Sequence, residues 1–513
     1  MAAAGALLFV GSSLVFLFQA RGSVGGPDFF FYLCYARDLV HDPAGVSLQR
    51  YQYFPGVYTF WRSAMRLAGG QHLETLQVVY LGVLVANGVI VGGIVLRTLR
   101  SWPACLFAMT WYWVLCSRFQ GLEGVAEPIA SIPFLLGILC WSGHALVGWP
   151  GMARAAGLGV ALGLAIYVRQ QAGLLALGAI WLVRPAWIGS RGRTAAAEAI
   201  STRAKEWGVV LLLPLFAILV LGVTLYAEGH GWQPLKIGLE HVGSYDTQGS
   251  WAGNLYTIFR TDEIAAAALL LSIGLLNVRR VSSEDLQSGE PWYEVAGFCM
   301  LAALATLWQF QTRPYGHYAL LAVPCLVITA VILTSRVLLP RWIHRENRRR
   351  WAALALAALP LLMGSWRPGT LAIWRGVPGR ETTCRPLWHR QPSINRDLER
   401  LAGIVEPGSS MHVLPPRHRS IQYLTGTRTT RQRGYGFRFR PLPEVPWRTF
   451  DWVVLISAGL DETDQAIWGP AQIGAAVKSL DQNGFRQAVR LETMLIFRRP
   501  LAPLESREST SNQ

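Results

Sequence analysis

The chain has 513 residues, 52% of them hydrophobic and only 15% charged, with a positive mean hydropathy. Its apolar residues come in blocks, which excludes an ordinary soluble domain and points to a polytopic membrane protein. The formal net charge of +16 does not mark a nucleic-acid binder. Lysine stands only at Lys205, Lys236 and Lys478, and many of the arginines flank apolar blocks, where they orient helices rather than grip phosphodiesters.

A hydrocarbon core of about 30 Å asks for about 20 apolar residues per helix. Runs of this kind lie at 3–20, 75–96, 101–117, 128–148, 154–168, 171–187, 207–227, 263–277, 294–309, 317–335 and 351–366, or about eleven spans, several of them short. The first run lacks a basic leading region, and "LFQARGS" is a poor cleavage site, so it reads as a span rather than a signal peptide. Arginine is concentrated in alternate connections, among them "RPAWIGSRGRTAAAEAISTRAK" and "RVLLPRWIHRENRRR". Those connections are therefore cytoplasmic, which puts residues 21–74 and everything after 366 on the outer face. The seven cysteines show no CxxC or CxxH spacing, so neither a zinc site nor a disulfide framework is indicated.

The first outer loop opens with "GGPDFFFYLCYARDLVHD". Its helical stretch has an apolar face through Phe30, Phe31, Leu33 and Cys34, expected to lie on the membrane surface or against the bundle. Asp28 falls at the N-terminal end of that helix, where free backbone N–H groups and the dipole favour a carboxylate. A helix cap and a catalytic acid both satisfy this position. Glu123 and Glu127 follow in the loop between the third and fourth spans. Glu127 precedes Pro128 at the membrane edge, where an acid is costly unless it is functional or paired, Arg118 being the partner expected from sequence. In the fifth span, Gly159 and Gly163 form the small-xxx-small pattern of packed membrane helices. Arg169 sits in the tight turn after it.

Residues 228–262 mix Trp232 and Trp251 with Glu240, His241 and Asp246, without metal-ligand spacing. The tryptophans suit an interfacial belt or stacking on sugars. Further on, Arg313 in "QTRPYGH" offers a planar fork to phosphate oxygens, with His317 four residues away. The tail changes character. "SMHVL", "FDWVVLIS" and "TMLIFRR" read as short buried strands, and "INRDLERLAGIV" and "PAQIGAAVKSLDQNG" as amphipathic helices, the second closed by Gly484. Residues 367–500 thus form a small α/β domain on the outer face, after a transmembrane domain over 1–366, and 501–513 form a disordered tail.

Asp28, the run Tyr32-Leu33-Cys34-Tyr35-Ala36-Arg37 and the element Tyr51-Gln52-Tyr53-Phe54-Pro55 resemble the start of the GT-C superfamily of integral-membrane glycosyltransferases. That group contains the protein O-mannosyltransferases and the lipid A aminoarabinose transferase. "HYALLAVP", through His317, Tyr318 and Pro324, is similar to the run that opens a late span in those proteins. The resemblance implies an inverting transfer of a sugar from a polyprenyl-phosphate donor to a lipid, glycan or protein acceptor at the outer face of a bacterial inner membrane. Asp28 would be the general base and Glu127 or Glu123 a second acid, with Arg313, His317, Arg169, Tyr53 and Tyr32 on the substrates. Many relatives carry Asp-Glu where this chain has Asp28-Phe29, which leaves a divalent cation open. A lipid-linked saccharide transporter is the alternative, but no paired halves are visible; an assembly factor without catalysis is another.

Overall fold

The computed structural model describes residues 11, 27–41, 54–118, 124–142, 148–183, 195–229, 231–234, 236, 250–253, 291–311, 316–366, 392–415, 420–427, 445, 447–458 and 468–500. The chain divides into two units. One comprises Met1–Val24, Tyr51–Phe60 and His72–Thr383, the other Gly25–Arg50, Trp61–Gln71 and Cys384–Gln513. Helix α1 (Pro27–His41) belongs to the second unit, and α2 (Gly56–Leu67) contributes residues to both.

The first unit is a helical bundle of α3 (Leu73–Leu99), α4 (Trp102–Arg118), α5 (Ala126–Trp141), α6 (Gly148–Val168), α7 (Ala195–Ala227), α8 (Pro291–Leu307), α9 (Val323–Leu333) and α10 (Glu346–Trp366). By length and hydropathy alone, Leu73–Leu99 and Gly151–Val168 can cross a bilayer, and five further apolar helices are shorter. The expected span at 263–277, and all of that at 3–20 except residue 11, lie outside the described residues, so the expected eleven are not all in view. The run expected at 171–187 is a 3-10 helix, Gln170–Val183, of 14 residues. At about 2.0 Å per residue it reaches about 28 Å, close to the thickness of the hydrocarbon core, although an α-helix of that length would fall well short.

Small residues set the helix contacts. A Cβ on Gly159 would lie 2.5 Å from the Leu213 carbonyl oxygen, and one on Gly163 2.6 Å from that of Ala217. The glycine pair singled out in the sequence thus lets the α6 and α7 backbones touch. Leu213, Ala217, Leu221 and Leu225 are buried along α7, while Leu211, Leu215, Ile218, Leu219 and Val223 form an exposed apolar stripe. An exposed stripe of that kind needs an apolar environment.

Cross-contacts fix helix direction. Tyr80 O–H donates to the Val125 carbonyl, Asn87 Nδ2 to that of Pro128 and Arg97 Nη1 to that of Leu139, so α3 and α5 run parallel. Gly137 meets Ala161 while Glu127 meets Arg169, so α5 and α6 are antiparallel. The glycine contacts make α6 and α7 parallel. One end of the bundle therefore gathers the starts of α3 and α5 and the finishes of α6 and α7.

In the second unit, β1 (Met411–Leu414), β2 (Trp452–Ile456), β3 (Arg486–Arg490) and β4 (Met494–Arg498) form a sheet in the order β1-β2-β4-β3. The β1–β2 pair is parallel and the other two are antiparallel. Helices α11 (Pro392–Ile404), α12 (Ser420–Leu424) and α13 (Pro470–Gln482) accompany it. Strand β2, "WVVLI", is buried along its whole length, as suits a central strand with both faces covered. Gly484 adopts a left-handed φ of +78° just beyond α13, the conformation a glycine supplies at least cost. Asp397 of α11 accepts bonds from Thr493 N–H and Oγ1, both at 2.6 Å, tying that helix to the start of β4.

Candidate active site

The bundle end described above holds a buried charge pair. Glu127 stands in the first turn of α5 and Arg169 directly after α6, and the antiparallel run of these helices brings them together. Arg169 Nη2 lies 2.8 Å from Glu127 Oε1, and both side chains are almost fully buried. The contact is a close ion pair; among the described residues no directed hydrogen bond reaches either carboxylate oxygen. Burying two charges is tolerable because each neutralises the other at short range. The partner expected from sequence was Arg118, whose side chain lies outside the described residues. The pairing across 42 positions is a product of the tertiary fold.

Around the pair, polar groups brace the same end. Tyr80 and Asn87 of α3 hold the backbone at Val125 and Pro128, on either side of Glu127, and Ser131 Oγ donates to the Glu127 carbonyl at 2.9 Å. The segment after Tyr53 packs on the end of α6: Phe54 joins Tyr167, Leu221 and Leu225 in one buried cluster. A Cβ on Gly56 would come within 2.5 Å of the Tyr167 carbonyl oxygen, so only glycine permits this approach. Thr59 Oγ1 donates to Glu228 Oε1 at 2.7 Å and sits 3.4 Å from the Tyr167 hydroxyl. Glu228, which directly follows α7, is a charged group the sequence reading passed over; its only signal was its place at a span's end. The 3-10 helix Gly316–Leu321 packs against α5 and α8. It carries His317, which is half-buried and edge-on to Tyr318 at 4.6 Å.

Asp28 belongs to the second unit. It lies in the first turn of α1, after Pro27, and is half-buried. Proline pre-sets the first helical residue there, and the exposed N–H groups of the turn favour the carboxylate. The expected apolar face of α1 is broader than its spacing implied, since Phe29 through Ala36 are all buried, Tyr32 completely. Phe29 meets Trp61 of α2 edge-on at 5.2 Å, and Phe30 meets Tyr423 at 6.0 Å. Within the second unit α1 packs against α12. A helix apolar on all sides is a buried helix.

The structure therefore brings Glu127 to Arg169 and sets the His317 helix against the helix of Glu127. It places Asp28 and Tyr32 together on α1. Glu123, Tyr53 and Arg313 lie outside the described residues. Among the described residues no three His, Cys, Asp or Glu side chains gather as a metal site would require.

Neither a family model nor a curated protein sequence matches the chain. Solved structures do. ArnT from Cupriavidus metallidurans in the apo state aligns with a TM-score of 0.58 at 14% identity, covering 97% of this chain and 98% of that one. The same protein bound to undecaprenyl phosphate aligns at 0.56 and 13%, with the same coverage. The archaeal oligosaccharyltransferase AglB from Archaeoglobus fulgidus, in complex with an inhibitory peptide and a dolichol-phosphate, aligns at 0.49 and 13%, covering 98% of this chain and 75% of that one. Over nearly its whole length, this chain shares the fold of ArnT.

Proposed function

We propose that the chain is a membrane glycosyltransferase that moves a sugar from a polyprenyl-phosphate donor to an acceptor hydroxyl, in one inverting displacement with Asp28 as general base. The observation that carries this reading is the shared fold with ArnT, one structure of which holds undecaprenyl phosphate. A polyprenyl-linked sugar keeps its chain in the bilayer and its head at the interface, so the base must stand just beyond a span. Asp28 follows the first apolar run by a few residues. In this reading the domain over 1–366 spans a bacterial inner membrane, the reaction takes place at its outer face, and the residues after 366 form a periplasmic domain.

In the step itself the acceptor oxygen attacks the anomeric carbon as Asp28 takes its proton. The bond from that carbon to the phosphate oxygen breaks, and the electron pair leaves on polyprenyl phosphate. Charge builds on that phosphate, and a fixed cation lowers the barrier. Arg313, with its bidentate fork, and His317 are the groups proposed for it. Glu127 fixes the guanidinium of Arg169, and Tyr53 and Glu123 are proposed for the donor side. Phe29 stands where many relatives carry a second acid, which leaves a divalent cation open.

The test is turnover of undecaprenyl-phosphate hexoses by the full-length protein in nanodiscs, with envelope lipids and glycans as acceptors and released undecaprenyl phosphate as the readout. Arg313→Ala is expected to lower kcat/KM for the donor at least tenfold, the loss of a charged hydrogen bond of about 1.5–3 kcal/mol, while the acceptor KM stays put. No turnover by the wild-type chain on any lipid-linked sugar overturns the reading.

A further inference from the structure

Arg37 is almost fully buried and lies on α1, the helix that carries Asp28. Its guanidinium enters the end of α12 in the C-terminal domain. That end is closed by Gly426 in a left-handed conformation (φ +67°), with Gly426 N–H donating to the Tyr423 carbonyl at 3.2 Å and Thr427 N–H to that of Gln422 at 3.1 Å. Such a cap leaves lone pairs on the last carbonyls. Arg37 occupies them: Nη1 donates to the Gln422 and Tyr423 carbonyls at 3.3 Å each, and Nη2 donates to that of Thr427. The same guanidinium lies 5.6 Å from the Tyr423 ring centroid and 3.6 Å from Asp38.

The anchor reaches the sheet, because the Gln422 side chain donates to the Met411 carbonyl of β1 at 2.5 Å. It also reaches the end of the first outer loop, where the Tyr423 hydroxyl donates to the Gln71 carbonyl at 2.6 Å. Burial pushes the pKa of that hydroxyl up, so it remains a donor at any physiological pH. A planar guanidinium with five donors can serve three carbonyls at once, and an ammonium on a flexible stem cannot hold that geometry.

We propose that Arg37 is a positioning residue for Asp28, and that the C-terminal α/β domain is thereby part of the catalytic apparatus. This rests on the reading of Asp28 as the base. Nine residues of helix make a rod of about 14 Å between the anchor and the acid, so loosening one end displaces the other. A displacement of about 1 Å at a reacting group costs about 100-fold in rate.

The experiment uses the full-length protein in nanodiscs with the undecaprenyl-phosphate hexose that the wild type turns over. Arg37→Gln is expected to lower kcat about 100-fold with the donor KM unchanged, and Arg37→Lys to recover part of the loss. Hydrogen exchange should rise across 27–41 and 420–427 in Arg37→Gln while β2 stays protected. Unchanged exchange in α1 overturns the anchor, and raised exchange with full kcat overturns the positioning role. If Arg37→Gln exposes β2, the decision passes to Arg37→Lys, where wild-type kcat with raised α1 exchange contradicts the proposal. Full turnover by Asp28→Asn would mark instead the failure of the base assignment.

Discussion

At the residue scale, the buried pair of Glu127 and Arg169 defines one end of the bundle. Each charge is acceptable there only because of the other. Arg169→Ala is therefore expected to destabilise the protein by about 3–5 kcal/mol, leaving an uncompensated carboxylate. Glu127→Leu combined with Arg169→Met should recover most of that loss. Chemical denaturation in detergent, followed by tryptophan fluorescence, measures both. A single-variant loss below about 1 kcal/mol, the value of an exposed pair, would show that water reaches the site. The sequence marked both residues, since an acid and a base at span edges are conspicuous, but it could not pair them: that information lies in the antiparallel packing of α5 on α6. Glu228 escaped for a related reason, because its partner Thr59 is 169 positions away.

At the element scale, the close approach of α6 and α7 depends on Gly159 and Gly163, whose Cβ positions are filled by backbone of the neighbouring helix. Backbone cannot move aside as a side chain can, so Gly163→Leu is expected to abolish the folded bundle, seen as loss of the monodisperse peak in size-exclusion chromatography. A Gly157→Ala control, where nothing lies within 4 Å of the added Cβ, should elute as the wild type does; a Gly163→Leu protein that did the same would contradict the packing. This contact was legible because small residues four apart are a pattern of the helix itself. Three tail strands were legible for the same reason, as "MHVL", "WVVLI" and "MLIFR" are apolar runs. Strand β3, "RQAVR", was not: its residues are almost all exposed, and it forms because β4 offers it an edge. Arg37 was visible only as the last letter of a motif, since what it grips comes some 385 residues later.

At the scale of the whole molecule, composition decided the class and the arginine distribution suggested the orientation. The fold is shared with ArnT, and the proposed chemistry builds on that likeness. Asp28 is the position on which the proposed reaction turns. It was found because an acid just past an apolar run is unusual, although periodicity alone could not separate cap from base. The direct measurement compares the wild type, Asp28→Asn and Asp28→Glu in nanodiscs for release of undecaprenyl phosphate from a lipid-linked hexose. Asparagine caps a helix about as well as aspartate, so Asp28→Asn should fold normally and bind undecaprenyl phosphate with unchanged affinity. Its turnover should fall by at least about 100-fold, the low end of what a general base contributes, with partial activity in Asp28→Glu. Wild-type turnover by a correctly folded Asp28→Asn protein would contradict the account.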